Sequence, residues 1–194
     1  MAKRDNHYEM AFEEYLRQRQ IPYVAVDETK RALLGDASLK SLDFIVSTAL
    51  GPSWLVDVKG RRFPAGAGEQ KQYWKNWSTR DDVRSLTAWQ RLFGPAFCGL
   101  FVFAYEIVGD RAPLAADRLF DYRGRLYCFL GVRLDDYAAK AHSISTAWDT
   151  LSMSSRQFRA LAAPVDDLFC RTVVPELAPA EFELQADVEA AESW

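Results

Sequence analysis

The sequence has few cysteines, few histidines and no long apolar run, and these shortages exclude several classes of protein. Its 194 residues include three cysteines and two histidines, which form no metal-ligand spacing and no catalytic triad. Cys98, Cys128 and Cys170 lie far apart in apolar surroundings, where buried reduced thiols are expected. No apolar run approaches the roughly 20 residues of a membrane-spanning helix, and the polar N-terminus has no signal-peptide pattern. We therefore expect a cytoplasmic protein that does not contact a membrane.

A phosphate-binding glycine loop is also missing. Gly66-Ala67-Gly68 lacks the Gly-Lys-Ser/Thr ending of a nucleotide-binding loop, so ATP hydrolysis is not expected. Hydrophobic residues nevertheless make up 49% of the chain, which is enough for a substantial core. The length favours one domain.

Apolar periodicity predicts two main helices and a series of short strands. The stripes over residues 5–19 and 80–93 repeat at helical spacing, and Thr79-x-x-Asp82 resembles a capping box at the start of the second helix. Short apolar runs between turn signals predict strands. We expect strands at 23–26, 42–48, 53–59, 98–105, 117–122, 125–134 and 147–151, and short helices near 29–34, 136–142, 154–161 and 164–170.

The order helix, strand, strand, strand, helix, strand predicts an α/β fold with a mixed central sheet flanked by helices. This core spans about residues 5–105, and a strand and helix extension follows over about 106–175. We expect one domain over residues 1–175. Residues 176–194 carry acids and no bases, which predicts an acidic C-terminal tail.

Three charged residues interrupt apolar segments that are predicted to be strands. Asp43 follows Leu42, and Asp57 and Lys59 follow the run Trp54-Leu55-Val56. A charge in a buried strand is costly unless it is paired or binds a metal. Two acids and an amine on neighbouring strands are the components of a magnesium-dependent phosphodiester-cleaving site. The alternative is a simple ion pair between Asp57 and Lys59 at a sheet edge.

Each of these residues has an expected role in such a site. Because strand side chains alternate, Asp57 and Lys59 share one face and Val58 points to the other. Mg²⁺ prefers a few carboxylate oxygens, so Asp43 and Asp57 are predicted ligands, with the Val58 carbonyl as a further oxygen. Mn²⁺ is expected to substitute for Mg²⁺. Lys59 is predicted to position or deprotonate the attacking water, or to offset developing charge.

Two helix residues are further candidates for the site. Glu9 lies at the edge of the first helix's apolar stripe, where it is predicted to bind a second ion or to orient the water. Glu13 is the alternative acid on that helix. Gln90 falls on the apolar face of the second helix, so it is predicted to brace the water or a phosphate oxygen, unless it only satisfies a backbone group.

A basic segment follows the candidate site, although the net charge of the chain is -3. Residues 59–91 hold eight basic residues and three acids, and such a local field suits a polyanionic substrate. Aromatic residues at 73, 74 and 77 either stack unpaired bases or form a small apolar cluster under a loop. The predicted nucleic-acid contacts are Arg61, Arg62, Lys71, Lys75 and Arg80.

The combination Glu9, Asp43 and Asp57-x-Lys59 resembles the PD-(D/E)XK nuclease superfamily, which includes restriction endonucleases and archaeal Holliday junction resolvases. The segment from Glu9 to Ile21 is similar to the first helix of those resolvases, although a glycine is usual where Gln20 stands. Leu42 likewise replaces the usual proline before the first aspartate. The resemblance covers about residues 5–105. It implies a restriction-endonuclease-like αβββαβ core, carboxylates on a metal and a lysine near the attacking water.

These observations predict a metal-dependent endonuclease that hydrolyses DNA phosphodiester bonds in DNA processing, repair or defence. Its small size suggests a homodimer, or a nuclease recruited by other DNA-processing proteins. Two alternatives remain open. One is a catalytically silent scaffold or nucleic-acid-binding subunit of a larger assembly, and the other is an RNA-directed nuclease.

Overall fold

The computed structural model describes residues 6–26, 32–34, 37–48, 51–66, 71–145, 147 and 149–169. Within these residues the chain forms five α-helices and twelve β-strands. The helices are α1 His7–Gln18, α2 Arg80–Phe93, α3 Leu134–Lys140, α4 Ser155–Leu161 and α5 Val165–Phe169. The strands are β1 Tyr23–Ala25, β2 Ala32–Leu34, β3 Ala37–Leu39, β4 Phe44–Val46, β5 Ser53–Phe63, β6 Ser78–Thr79, β7 Phe97–Ile107, β8 Phe120–Tyr122, β9 Arg125–Arg133, β10 His142–Ser145, β11 Thr150–Ser152 and β12 Ala163–Pro164.

A seven-stranded mixed sheet forms the centre of the molecule. Its strand order is β1-β4-β5-β7-β9-β12, and β8 pairs with β9. The pair β5 and β7 is parallel, from Ser53 opposite Phe97 to Phe63 opposite Ile107, whereas the other neighbours in this sheet are antiparallel. Helix α2 makes the connection that a parallel pair requires. The predicted αβββαβ order and the mixed central sheet flanked by helices are therefore confirmed.

The central strand β5 separates two apolar layers because its side chains alternate between the faces of the sheet. Val56 and Val58 pack in one cluster with Phe12 of α1. Leu55 packs in the other cluster with Leu86 of α2. The sequence produces this arrangement because the apolar stripe of each helix needs one face of the sheet to cover it. Asp57 and Lys59 alternate with Val56 and Val58 along β5. Their side chains therefore point to the same face as Leu55, which is the face that α2 covers.

Helix α2 begins and ends where the sequence predicts. The Thr79 side chain accepts a hydrogen bond of 3.1 Å from the Asp82 N–H, and Asp82 Oδ2 accepts one of 2.8 Å from the Thr79 N–H. These two bonds form a capping box, which satisfies donors at the helix start. Gly94 ends the helix with a φ of 86°, a backbone conformation that favours glycine.

A second, three-stranded sheet joins the segment before α2 to the C-terminal extension. Its order is β10-β11-β6, with Ser78 opposite Leu151. The buried Asn76 side chain reinforces this junction. Its oxygen accepts from the Met153 N–H at 2.8 Å, and its nitrogen donates to the Met153 carbonyl at 3.1 Å. The extension is thus built into the same body as the predicted core.

Several sequence predictions differ from the structure; the strand expected at 117–122, for example, begins only at Phe120, after a 3-10 helix at Ala116–Arg118. The helix expected near residues 29–34 is wrong in its described part, because Ala32–Leu34 is a strand that pairs with Ala37–Leu39. Strand pairing here overrides a local helical preference. The strand expected at 147–151 begins only at Thr150, and β10 was not predicted. The acidic tail lies outside the described residues.

The helices of the described segments include none with the length and apolar character needed to cross a membrane. The longest of them, α2, is amphipathic rather than apolar all round. Its buried residues face the sheet, and its first turn carries acids.

Candidate active site

Four of the five predicted catalytic residues, together with Val58, come together in one pocket of about 390 Å³. Helix α1 contributes Glu9, the segment before β4 contributes Asp43, and β5 contributes the run from Asp57 to Lys59. Helix α2 contributes Asp82, so four distant parts of the chain meet at this pocket. The lining residues are Glu9, Lys40, Ser41, Asp43, Asp57, Val58, Lys59 and Asp82.

Asp43 is held by the backbone on both sides of its position. Its N–H donates to the Val56 carbonyl, and its carbonyl accepts from the Val26 N–H, both at 2.9 Å. Its carboxylate Oδ2 accepts a hydrogen bond of 2.6 Å from the Val58 N–H. Because these contacts fix a side chain that is only 5% exposed, Asp43 faces the pocket in a defined orientation.

Lys59 lies between two carboxylates. Its Nζ is 2.8 Å from Asp57 Oδ1 and 3.0 Å from Asp82 Oδ2. Burial opposes the charge on Lys59, but Asp57 and Asp82 outweigh burial and raise the pKa of the ammonium above its ordinary value. Lys59 is therefore a protonated cation at neutral pH.

Asp82 connects Lys59 to a second lysine. Its Oδ1 accepts a hydrogen bond of 2.8 Å from Lys40 Nζ, and its Oδ2 also accepts from the Ser78 hydroxyl at 2.9 Å. Burial opposes ionisation of Asp82, but the charge of Lys59 and the bonds from Lys40 and Thr79 hold its pKa well below the usual range. The result is a chain of alternating charges, Lys40, Asp82, Lys59 and Asp57.

Glu9, rather than Glu13, is the α1 acid that the structure places at the pocket. Glu9 is 3% exposed, and the Asn6 side-chain amide donates to its Oε1. Glu13 instead accepts a hydrogen bond of 3.0 Å from the Tyr23 hydroxyl and pairs with Arg17 at 3.7 Å. Of the two acids that the sequence left open, Glu9 lines the pocket and Glu13 lies outside its lining.

The pKa is raised at both aspartates of the pocket wall, Asp43 and Asp57. Burial, followed by the charges of Asp57 and Glu9, raises the pKa of Asp43 well above its ordinary value. Burial also raises the pKa of Asp57, although Lys59 opposes that rise. Crowded, desolvated carboxylates of this kind favour a bound cation, which offsets their mutual repulsion.

The donor set fits Mg²⁺ with a small number of protein ligands. Asp43 and Asp57 supply carboxylate oxygens, and the Val58 backbone lies between them at the pocket wall. Within the described residues, no group of three or more His, Cys, Asp or Glu side chains is arranged to hold a metal ion. Mg²⁺ usually binds through one or two carboxylates and keeps several waters. Two aspartates and a backbone carbonyl are therefore a sufficient protein contribution.

Gln90 is not at the site, so its predicted role is corrected. Its amide oxygen accepts a 2.5 Å hydrogen bond from the Gly99 N–H, and its nitrogen lies 3.4 Å from Asp135 Oδ1. The helical angle does place Gln90 toward the core side of α2. However, Gly99 lies two residues before Phe101, the partner of Asp57 across β5 and β7, so Gln90 sits nearer the start of these strands.

Arg61 is also not an open phosphate contact. Its guanidinium stacks 3.7 Å from the centre of the Trp77 ring and donates to the Gly60 carbonyl at 2.6 Å and to the Trp77 carbonyl. Burial lowers the pKa of Arg61 to about 10. These contacts give Arg61 a structural role, and its nucleic-acid contact stays a prediction.

The other predicted nucleic-acid contacts lie at or near the surface. Arg62 and Lys71 are exposed and Lys75 is half-buried. Arg80 is exposed but pairs with Asp149 at 2.8 Å. These four residues remain candidates.

The aromatic cluster divides into two parts. Tyr73 and Trp74 pack edge-to-face on Phe63, with ring centres 5.1 and 5.3 Å away. They therefore belong to the apolar layer on the α2 side, as the alternative interpretation predicted. Trp77 is different, since it is 41% exposed.

Three residues of the pocket, Lys40, Ser41 and Asp82, were not predicted as site residues. Asp82 was interpreted only as the acid of a capping box, and that explanation was correct but incomplete. Lys40 lies in a polar segment with no strand pattern, so the sequence around it does not indicate a site residue. Its backbone is nevertheless fixed by α2, because its N–H donates to the Ser85 hydroxyl at 3.0 Å and its carbonyl accepts from Trp89 Nε1 at 2.8 Å.

Comparison with solved structures finds a similarity to Hjc, a Holliday junction resolvase from the archaeal hyperthermophile Archaeoglobus fulgidus. The two chains are 12% identical, the alignment covers 84% of this chain and 97% of that chain, and the TM-score is 0.46. Neither a protein-family profile nor a curated protein matches this sequence.

Proposed function

We propose that this protein is a metal-dependent endonuclease that hydrolyses DNA phosphodiester bonds. The observation that carries the proposal is the convergence of Glu9, Asp43, Asp57 and Lys59, from separate segments, on one pocket. A sheet-edge ion pair alone does not require Asp43 and Glu9 to share that pocket. The resemblance of these residues to the PD-(D/E)XK pattern supports the same conclusion.

The protein's own residues supply binding and charge. Asp43, Asp57 and the Val58 carbonyl would hold Mg²⁺, and Mn²⁺ is expected to substitute for it. When bound, the cation supplies Lewis acidity that lowers the pKa of water and offsets charge on phosphate oxygens. Glu9, buried at the same pocket, is positioned to accept a hydrogen bond from water there.

Lys59 is proposed to act as a fixed cation. Without a bound cation, the two neighbouring carboxylates raise the pKa of Lys59, so the ammonium keeps its proton at neutral pH. A protonated lysine offsets charge that develops on a phosphate oxygen and orients a water by hydrogen bonding. This favours charge stabilisation over proton abstraction among the roles expected from the sequence.

A polyanionic substrate suits the cations around the pocket. Lys40 lines the pocket with its side chain 40% exposed, and Arg62 on β5 is exposed. Cations placed beside an acidic metal site allow the phosphate backbone to approach a cluster that is otherwise negative. DNA is the proposed substrate, and RNA is tested beside it.

The proposal is tested by cleavage assays on plasmid, branched DNA and RNA of matched length, with Mg²⁺, Mn²⁺ or EDTA. We expect DNA cleavage that needs the cation and that falls by at least about 100-fold in Asp57→Asn and Lys59→Met, as expected when transition-state stabilisation is removed. Asp110→Asn and Lys140→Ala, at exposed positions away from the pocket, are matched controls and should keep wild-type activity.

The outcome separates the proposed nuclease from its competitors. Equal cleavage by wild type and Asp57→Asn would show that the site does not act. DNA binding without cleavage of any substrate would favour the silent scaffold, and cleavage restricted to RNA would favour the RNA-directed nuclease.

A further inference from the structure

Asp82 is the second carboxylate in contact with Lys59, with its Oδ2 3.0 Å from the Lys59 Nζ. We propose that Asp82 is a positioning residue that keeps the Lys59 ammonium in place when the Asp57 carboxylate engages a divalent cation. This inference rests on the proposed function, and it adds a residue to the site that the sequence pattern does not contain.

Asp57 has two competing partners in the proposed site. Its Oδ1 is 2.8 Å from Lys59 Nζ, while the same carboxylate is a proposed cation ligand. A carboxylate that donates electron density to a cation is a weaker partner for an ammonium. Lys59 then depends on its second contact, Asp82 Oδ2 at 3.0 Å.

Asp82 is built to keep that contact without help from substrate. It is the third residue of α2, its side chain is 7% exposed, and its Oδ2 also accepts from the Ser78 hydroxyl and the Thr79 N–H at 2.9 and 2.8 Å. The carboxylate is therefore oriented by the helix start and by β6. A group held in this way is preorganised, because it needs no rearrangement when the reacting groups bind.

A purely structural role as a helix cap is the competing explanation, and the chain offers variants that separate the two. Asp82→Asn removes the charge but keeps a side-chain oxygen that can accept the capping bond. Thr79→Ala removes the other half of the capping box and leaves the Asp82 carboxylate beside Lys59. Asp81→Asn removes one charge from the adjacent residue, which pairs with Arg84 at 2.7 Å and reaches Lys40 Nζ at 4.0 Å.

The first experiment measures Mn²⁺ affinity of the full chain by calorimetry, so it does not depend on cleavage. Without Asp82, Lys59 competes more strongly for Asp57. We expect Asp82→Asn to weaken Mn²⁺ binding by about 10–100-fold, the usual effect of a residue that supports a metal ligand from outside. Asp81→Asn and Thr79→Ala should change the affinity by less than about threefold.

The second experiment is a double-mutant cycle between Asp82→Asn and Lys59→Met. A residue that acts through Lys59 has no further effect once Lys59 is gone, whereas a helix cap has the same effect in both backgrounds. We therefore expect Asp82→Asn to change neither Mn²⁺ affinity nor residual cleavage in the Lys59→Met background. In the Lys59 background, Asp82→Asn should lower kcat by about 10–100-fold with little change in KM for DNA.

These outcomes distinguish failure of the inference from failure of the proposed function. Additive effects of the two substitutions, or an equal loss in Thr79→Ala, would overturn the role of Asp82 even in an active nuclease. If the two substitutions have coupled effects on Mn²⁺ affinity but the protein cleaves no substrate, the role of Asp82 is supported and the proposed function is overturned. No Mn²⁺ binding by wild type would overturn both.

Discussion

The Asp43 carboxylate accepts a hydrogen bond of 2.6 Å from the Val58 N–H. This bond holds the buried Asp43 side chain near two further acids, Asp57 and Glu9. One hydrogen bond from a backbone amide favours the ionised carboxylate. It does not outweigh burial and the charges of Asp57 and Glu9, since the pKa of Asp43 is raised. In the absence of a cation, the site is therefore a source of instability in the fold.

Asp43→Asn should stabilise the metal-free protein at neutral pH. The pKa of Asp43 is higher in the folded state than the value of about 3.9 for an unperturbed aspartate, so wild type loses stability as the pH rises above about 4. The variant has no such loss, and each kcal/mol gained corresponds to about 2–4 °C in Tm for a chain of this size. Thermal unfolding in EDTA between pH 3.5 and 8 measures the difference, which should vanish at the acid end. A variant less stable than wild type at pH 8 would contradict the assignment.

Gln90→Ala should reduce stability without reducing the rate of the proposed DNA cleavage. The substitution removes the acceptor for the buried Gly99 N–H, and an unsatisfied buried donor costs about 1–3 kcal/mol. Urea unfolding measures the loss, and kcat below the unfolding temperature should match wild type. Gln18→Ala on the exposed face of α1 is the control for loss of a glutamine. A large fall in kcat with unchanged stability would instead indicate that Gln90 takes part in catalysis.

The helices show what a single sequence predicts well. The bounds of α2 follow from local signals, since Thr79 and Asp82 cap its start and Gly94 ends it. The pairing of Asp57 and Lys59 on one face also follows from strand alternation alone. These features depend on residues within a few positions of one another, so their physics is visible in the sequence.

The parts that the sequence did not predict depend on long-range placement. Helical angle puts Gln90 on the core side, but it does not say how far along the sheet each turn of α2 lies. Lys40 enters the pocket only because Ser85 and Trp89 fix its backbone. Asp82 was fully explained as a cap, so nothing in the sequence required a second role.

Gly60→Ala should destabilise the protein by overpacking. A Cβ on Gly60 would lie 2.1 Å from Tyr8 Cδ2, so either α1 or the Tyr8 ring must shift, at a typical cost of about 1–3 kcal/mol. The Tyr8→Ala background removes the obstacle, and there Gly60→Ala should cost much less. Chemical unfolding of the four proteins gives the coupling energy. Equal costs in both backgrounds would show that the ring is not what excludes a side chain at residue 60.

Cys128 should resist alkylation in the folded protein at pH 8. Burial raises the pKa of its thiol to about 12, and the thiolate is the reactive form. Because the unfolded thiol ionises near pH 8.5, the stabilising effect of this buried, protonated group is complete below that pH and declines as the pH rises toward 12. Peptide mapping after iodoacetamide treatment should show modification of the half-buried Cys98 well before Cys128. Similar rates at both positions would contradict this, and Cys128 should react freely in guanidinium chloride.

The pairing of β6 with β11 links the extension to the chemistry of the pocket. Ser78 on β6 pairs with Leu151 across the small sheet, and it also donates to the carboxylate of Asp82. Residues after position 140 therefore support the N-terminal end of α2, where Asp82 contacts Lys59. A chain truncated after β7 would keep Glu9, Asp43 and Asp57 but would lose the pairing of β6 with β11.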